Sequence, residues 1–190
     1  MARRLFPVYN ECGFDEWRKI MSESVSDNIR MKVTGLTIDP FTNMPIIILK
    51  DLEEKLALPI WIGLIEASSI ATELENIGLS RPMTHDLIRT LLGELKVSVP
   101  RVEIVDLTDS TFFANIHFES HQGSFILDCR PSDAIAVALR CKADIYVNRA
   151  VIEKSRQIET TSHSDAQLKS EKWTEILDNL TPADFGKYKM

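Results

Sequence analysis

Apolar residues in this chain come in short dense runs first, then at helical spacing, then in alternation. Lys32-Val-Thr-Gly-Leu-Thr-Ile38 reads as a strand, and Asp39-Pro-Phe-Thr-Asn43 has turn chemistry. Pro45-Ile-Ile-Ile-Leu49 reads as a second strand, with enough β-branched residues to be buried on both faces. Leu58-Pro-Ile-Trp-Ile-Gly63 is a third, short one. A helix is predicted from Leu64 to Ile77, with Ile70, Leu74 and Ile77 on one stripe and Gly78 as its stop. A second helix opens at Thr84, with Leu87, Ile88, Leu91, Leu92 and Leu95 at helical spacing.

Val99–Leu107 and Thr111–Glu119 read as further strands. In the latter, Phe112, Ala114, Ile116 and Phe118 face one way and Phe113, Asn115, His117 and Glu119 the other. Ser120-His-Gln-Gly123 signals a tight hairpin that returns through Ser124–Cys129. A helix from Ser132 to Cys141 and a short strand, Asp144–Val147, follow. Strand, strand, strand, helix thus occurs twice, in residues 31–77 and 99–141. The expected fold is an α+β domain with a mixed β-sheet built of two similar halves, plus a C-terminal helix.

Residues 1–29 read as an N-terminal extension. Phe14, Trp17 and Ile20–Met21 suggest one short helix face, and Ser22–Asn28 a linker. The domain is placed at 30–154. The polar stretch after Lys154 is read as a linker over 155–164. Leu168, Trp173, Ile176, Leu177 and Leu180 predict an amphipathic C-terminal helix, and Phe185 and Tyr188 in the tail are candidates to dock on the domain or on a protein partner.

Composition narrows the class. The 190 residues are 44% hydrophobic and 26% charged, ordinary for a water-soluble domain. No apolar run approaches the roughly 18 residues that span a bilayer, and the N-terminus does not read as a secretory signal. Three cysteines without CxxC spacing fit reduced thiols in the cytoplasm. Cys129 and Cys141 sit in apolar stretches and read as core residues. A net charge of −6 argues against a broad basic surface for duplex DNA, though a local basic cleft is compatible with it.

Chemistry concentrates in two segments, Arg81-Pro-Met-Thr-His-Asp-Leu87 and Asp128-Cys-Arg-Pro-Ser-Asp-Ala134. Each sets an Arg-Pro pair before a hydroxyl residue and an aspartate at a helix start. Thr84 and Ser132 are candidate N-caps. Arg81 and Arg130 are candidate phosphate ligands, because guanidinium grips two oxygens at once and stays charged; the plainer reading is a pin for each turn. Glu66, Asp86, Asp128 and Asp133 are the candidate carboxylates. Asp86 and Asp133 equally suit the positive end of a helix dipole. If the four converge they are expected to hold Mg²⁺ or Mn²⁺ or to serve as a base. His85 is the candidate for proton transfer. His117 and His121 are about 13 Å apart along an extended chain, too far to share an ion. No Walker loop, dinucleotide fingerprint, zinc spacing or nucleophile elbow is present.

Leu58-Pro-Ile-Trp-Ile-Gly63, Glu66-Ala67, Arg81-Pro-Met-Thr-His-Asp-Leu87 and Arg130-Pro-Ser-Asp-Ala-Ile-Ala136, in this order, resemble the bifunctional nuclease domain family. Thr37-Ile-Asp-Pro-Phe-Thr-Asn43 is also similar to bacterial members. The resemblance covers roughly residues 31–155. It implies a compact α+β domain that oligomerises and a nuclease cleaving both DNA and RNA. With it, the leading expectation is a phosphodiesterase in which Arg81 and Arg130 hold phosphate, Glu66, Asp86, Asp128 and Asp133 supply metal ligands or a base, and His85 moves a proton. The alternative is a non-catalytic binding or regulatory module whose Arg-Pro turns are structural, with the C-terminal tail contacting a partner. A third reading is a small anionic ligand held between the two turns.

Overall fold

Strand β1 (Asn28–Ile38) pairs antiparallel with β2 (Pro45–Asp51), and β2 with β3 (Ala57–Trp61). Helices α1 (Leu64–Leu74) and α2 (Thr84–Glu94) follow. A second antiparallel meander, β4 (Ser98–Thr108), β5 (Thr111–Ser120) and β6 (Gly123–Cys129), leads into α3 (Pro131–Cys141). Strand β7 (Asp144–Asn148) and helix α4 (Arg149–Thr161) complete the computed structural model, which describes residues 27–161, with side chains through Arg156. One seven-stranded mixed sheet results, in the order β3-β2-β1-β7-β4-β5-β6. β7 lies between the two meanders, antiparallel to β1 and parallel to β4. The two strand-strand-strand-helix halves are therefore joined edge to edge through a strand contributed last.

Strand register decides what the helices cover. Leu36 pairs with Ile47 and Ile47 with Ile60, while Leu49 pairs with Leu58, so these side chains share a face. Val102, Ile104, Ala114 and Ile116 form the matching face of the second meander. All are buried, together with Ala67, Ile70 and Ala71 of α1 and Ala134, Ile135 and Ala138 of α3. Fully burying a side chain such as Ile47, Leu49 or Ile135 contributes roughly 1.5–3 kcal/mol. The alanines let α1 and α3 approach closely, and α2 packs on the other flank of α3.

The opposite face of β4 and β5 is buried too, although polar. Glu103 lies between Arg101 Nε at 2.8 Å and His117 Nε2 at 3.0 Å. Burial pushes the Glu103 carboxyl up, but His117 and Arg101 outweigh this and hold it below the usual range. His121 sits exposed in the β5–β6 turn, so the two histidines do not form a pair.

Several sequence-derived boundaries move. Helix α1 ends at Leu74, three residues before Ile77. Asn76 adopts a left-handed conformation there, and Ile77 N–H bonds to Thr72 O while Asn76 N–H bonds to Glu73 O. That is a Schellman ending, which Asn supports nearly as well as Gly. β1 begins at Asn28, inside the stretch read as a linker, because its first four residues pair with β7. Residues 155–161, also read as linker, continue α4; Val151, Ile152 and Ser155 supply a buried face that the polar run around them obscures. Thr84 and Ser132 are not the N-caps. Met83 and Arg130 hold those positions, since Pro131 fits N1, where no N–H is needed, and Asp86 reaches back to the Met83 N–H at 2.8 Å. The predicted N-terminal helix face, the C-terminal helix and the tail with Phe185 and Tyr188 lie outside the described residues. Among the described residues no helix is long and apolar enough to cross a membrane.

The three helices at the centre are locked by one side chain. Arg140, 1% exposed, donates from Nε to Asp86 Oδ1 (2.6 Å) on α2, from Nη2 to Ser69 O (3.1 Å) on α1, and from Nη1 to Ala136 O (3.2 Å) on its own helix. Burial works against a charged Asp86, but the bonds from Arg140 and the Met83 N–H, with the charges of Arg140 and Arg89, prevail and lower its pKa. The folded carboxyl is more acidic than the unfolded one, so its stabilisation is present above the ordinary Asp value of about 3.9 and is lost as pH falls through the folded value. Acid titration of the unfolding free energy is expected to decline below about pH 4, and Asp86→Asn to flatten that limb. Arg140→Ala removes one partner from a buried pair, and urea unfolding is expected to show a loss of about 3–5 kcal/mol.

Candidate functional site

The N-termini of α1 and α3 meet at one end of the helical layer, and the first turn of α2 lies against both helices. The first turns of α1 and α3 touch through Glu66 and Arg130, while Glu73 and Arg140 approach near the other ends, so the two helices run roughly parallel. Their positive dipole ends therefore point to the same place. Each of the three helices carries an acid at its third position: Glu66 in α1, Asp86 in α2 and Asp133 in α3.

Arg130 occupies the N-cap of α3, with its side chain 64% exposed. It grips Asp133 with two bonds, Nε to Oδ2 at 2.8 Å and Nη2 to Oδ1 at 3.1 Å, and reaches Glu66 Oε1 from Nη1 at 2.6 Å. The bonds to Asp133, then those to Glu66, raise its pKa further, so the guanidinium stays charged. Three of its five N–H groups are used, which leaves two to donate outward. Glu66 curls back over Gly63, the N-cap of α1, and a Cβ at Gly63 would collide with Glu66 Oε2. The glycine here provides room for the carboxylate.

His85 faces the same cluster from α2. Its Nε2 lies 3.5 Å from Asp133 Oδ1, and its Nδ1 lies 2.9 Å from the Ser69 hydroxyl. Only 13% of the ring is exposed, and Ser69 is buried. Ser69, His85 and Asp133 thus form a continuous chain across α1, α2 and α3.

Of the residues singled out in the sequence, Glu66, His85, Arg130 and Asp133 come together. Asp86 turns away from them into the clamp with Arg140. Asp128 pairs in register with Asn115, which sends it to the sheet face opposite Cys129 and Ala114. Arg81 is exposed and makes no hydrogen bond or ion pair with the described residues. The four carboxylates therefore do not assemble into one donor set, and among the described residues no group of three or more His, Cys, Asp or Glu is placed to hold a metal ion. The Cys129 thiol is pushed up to about 12 by burial and by Asp133 and Asp128, so it stays protonated and is no nucleophile. Two contributors had no motif to betray them, Ser69 in the interior of α1 and Arg140 in the last turn of α3; Gly63 closes the Leu58–Gly63 segment, but nothing there shows that it makes room for Glu66. Only the internal position of a charged residue, Arg140 among Ala136, Val137, Ala138 and Leu139, hinted at a buried pair.

Sequence comparison places this geometry among relatives. An uncharacterized protein of Mycobacterium tuberculosis is 37% identical over 163 residues, covering 82% of this chain and 96% of the relative. Bifunctional nuclease 2 of Oryza sativa subsp. japonica is 27% identical over 150 residues, 72% of this chain and 46% of that protein. Bifunctional nuclease 1 of Arabidopsis thaliana is 30% identical over 111 residues, 55% and 34% respectively. This chain thus spans less than half the length of these plant nucleases. The sequence model described as the bifunctional nuclease domain matches residues 47–160, from β2 to the end of α4 and across every residue of the Glu66–His85–Arg130–Asp133 cluster. With well over half of the chain matched, this protein belongs to the bifunctional nuclease domain family.

Proposed function

We propose that this chain hydrolyses phosphodiester bonds in DNA and RNA at the meeting point of α1, α2 and α3. The observation that carries the reading is Arg130: an exposed guanidinium, oriented by two carboxylates beside a histidine, with two N–H groups left over. Those donors suit the two non-bridging oxygens of one phosphate, and the helix N-termini add positive potential. Plant relatives named bifunctional nucleases support the same substrate class.

In this reading Arg130 binds phosphate and steadies the charge that grows on its oxygens. Glu66 uses only Oε1 on Arg130, and its Oε2 accepts the proton of an attacking water. His85 Nε2–H, 3.5 Å from Asp133 Oδ1, donates a hydrogen bond to a phosphoryl oxygen, and the proton that Glu66 takes from water passes on to the leaving oxygen. Arg81 supplies a further phosphate contact along the strand. Asp86 takes no part in the chemistry and serves through the α2 clamp. No step is routed through Mg²⁺ or Mn²⁺, because Asp133 spends both carboxylate oxygens on Arg130, Glu66 offers Oε2 alone and the other two carboxylates point elsewhere. A regulatory, non-catalytic role is the competing reading, and the engagement of every clustered acid favours it to that extent.

The deciding experiment is cleavage of single-stranded DNA and RNA by highly purified protein, with and without Mg²⁺ or Mn²⁺. Arg130→Ala is expected to lower kcat/KM about 10–100-fold, the equivalent of one or two charge-assisted hydrogen bonds. His85→Ala is expected to lower kcat about 100-fold or more with the melting temperature retained. Full activity in both variants sinks the assignment. Gly63→Ala is expected to leave stability within about 0.5 kcal/mol while turning Glu66 off Arg130; thermal melts and turnover measured side by side should show the activity falling several-fold with the fold intact.

A further inference from the structure

The buried hydroxyl of Ser69 has one partner among the described residues, His85 Nδ1 at 2.9 Å. Its neighbours behave differently: Ser68 donates back to Ile65 O and Thr72 to Ser68 O, as helix hydroxyls commonly do. Ser69 is only 3% exposed, and in this rotamer a hydrogen not given to His85 has no other acceptor among the described residues. The other ring nitrogen, Nε2, faces the Asp133 carboxylate.

A neutral imidazole carries its proton on one nitrogen and a lone pair on the other. With the proton on Nδ1, the Nε2 lone pair would point at a carboxylate and the Ser69 hydrogen would be stranded. With the proton on Nε2, both ends are satisfied: Ser69 donates to Nδ1 and the ring donates toward Asp133. The two neighbours select the same tautomer.

We propose that Ser69 is a positioning residue that holds neutral His85 with its proton on Nε2, so that the ring offers the cleft a hydrogen-bond donor and no lone pair. This deepens the phosphodiesterase reading, on which it rests for its consequence: His85 donates to a phosphoryl oxygen of the substrate, and deprotonation of water falls to Glu66.

The test is nuclear magnetic resonance on the full chain with ¹⁵N-labelled histidine, at about pH 8.5, well above the ordinary imidazole pKa of about 6.5. Two-bond nitrogen–proton correlations report the tautomer of each ring, and His85→Gln identifies the His85 signals among the four histidines. The expected result is Nε2–H in the unaltered protein, a shift toward Nδ1–H in Ser69→Ala, and return to Nε2–H in Ser69→Thr, which keeps a hydroxyl. An Nδ1–H ring in the unaltered protein overturns the proposal, and that spectrum decides even if Ser69→Ala fails to fold. A folded Ser69→Ala protein with an unchanged tautomer overturns it too, since Asp133 alone then suffices. In the cleavage assay Ser69→Ala is expected to lower kcat several-fold with KM near the unaltered value. A protein that cleaves nothing yet shows the tautomer and its dependence on Ser69 keeps this assignment and loses only the phosphodiesterase reading.

Discussion

A single buried guanidinium holds the helical layer together. Arg140 has nearly no contact with water, and its charge is tolerable only because Asp86 and the carbonyls of Ser69 and Ala136 surround it. Those partners come from α2, α1 and α3. The bond to Ser69 O also fixes the residue whose hydroxyl contacts His85, so the clamp and the His85 cluster share a residue. Displacing Arg140 would therefore disturb the imidazole although no side chain joins the two directly.

The acids at the three helix starts show how one local rule can serve different ends. Glu66, Asp86 and Asp133 all sit at the third helical position, where the dipole favours a negative charge by about 0.3–1 kcal/mol. That preference explains their presence without any chemistry. What separates them is the partner: a buried arginine ties Asp86 into the helical layer, and an exposed arginine draws Glu66 and Asp133 together at the surface.

Much of the fold was legible because burial on one face imposes a period. The β-branched run Pro45–Leu49, the alternation in Thr111–Glu119 and the leucine spacing after Thr84 each named its element correctly. Legibility failed where partners are distant in sequence. Asn28–Met31 is a strand because β7 lies beside it, and nothing within that stretch says so. Helix α4 reads as polar because, among its described side chains, only Val151, Ile152 and Ser155 face inward. Among the candidate site residues, the Arg-Pro turn at Arg130 gathers Glu66 and Asp133, while the matching turn at Arg81 makes no hydrogen bond or ion pair with the described residues and Asp128 falls on the far face of a strand whose pairing fixes it.

The amino-acid sequence by itself determined the element types up to β7, the two repeated halves and the motifs that identify the family, since propensity, periodicity and local motifs act over a few residues. Which charges became a clamp and which became a cleft was decided only in three dimensions. Glu66 and Arg130 stand 64 positions apart, and Asp86 and Arg140 stand 54 apart. The first pair depends on α1 and α3 packing with their N-termini at the same end, and the second on the start of α2 lying against the last turn of α3; both are set by the whole sheet and its closing strand, which no local stretch of sequence encodes.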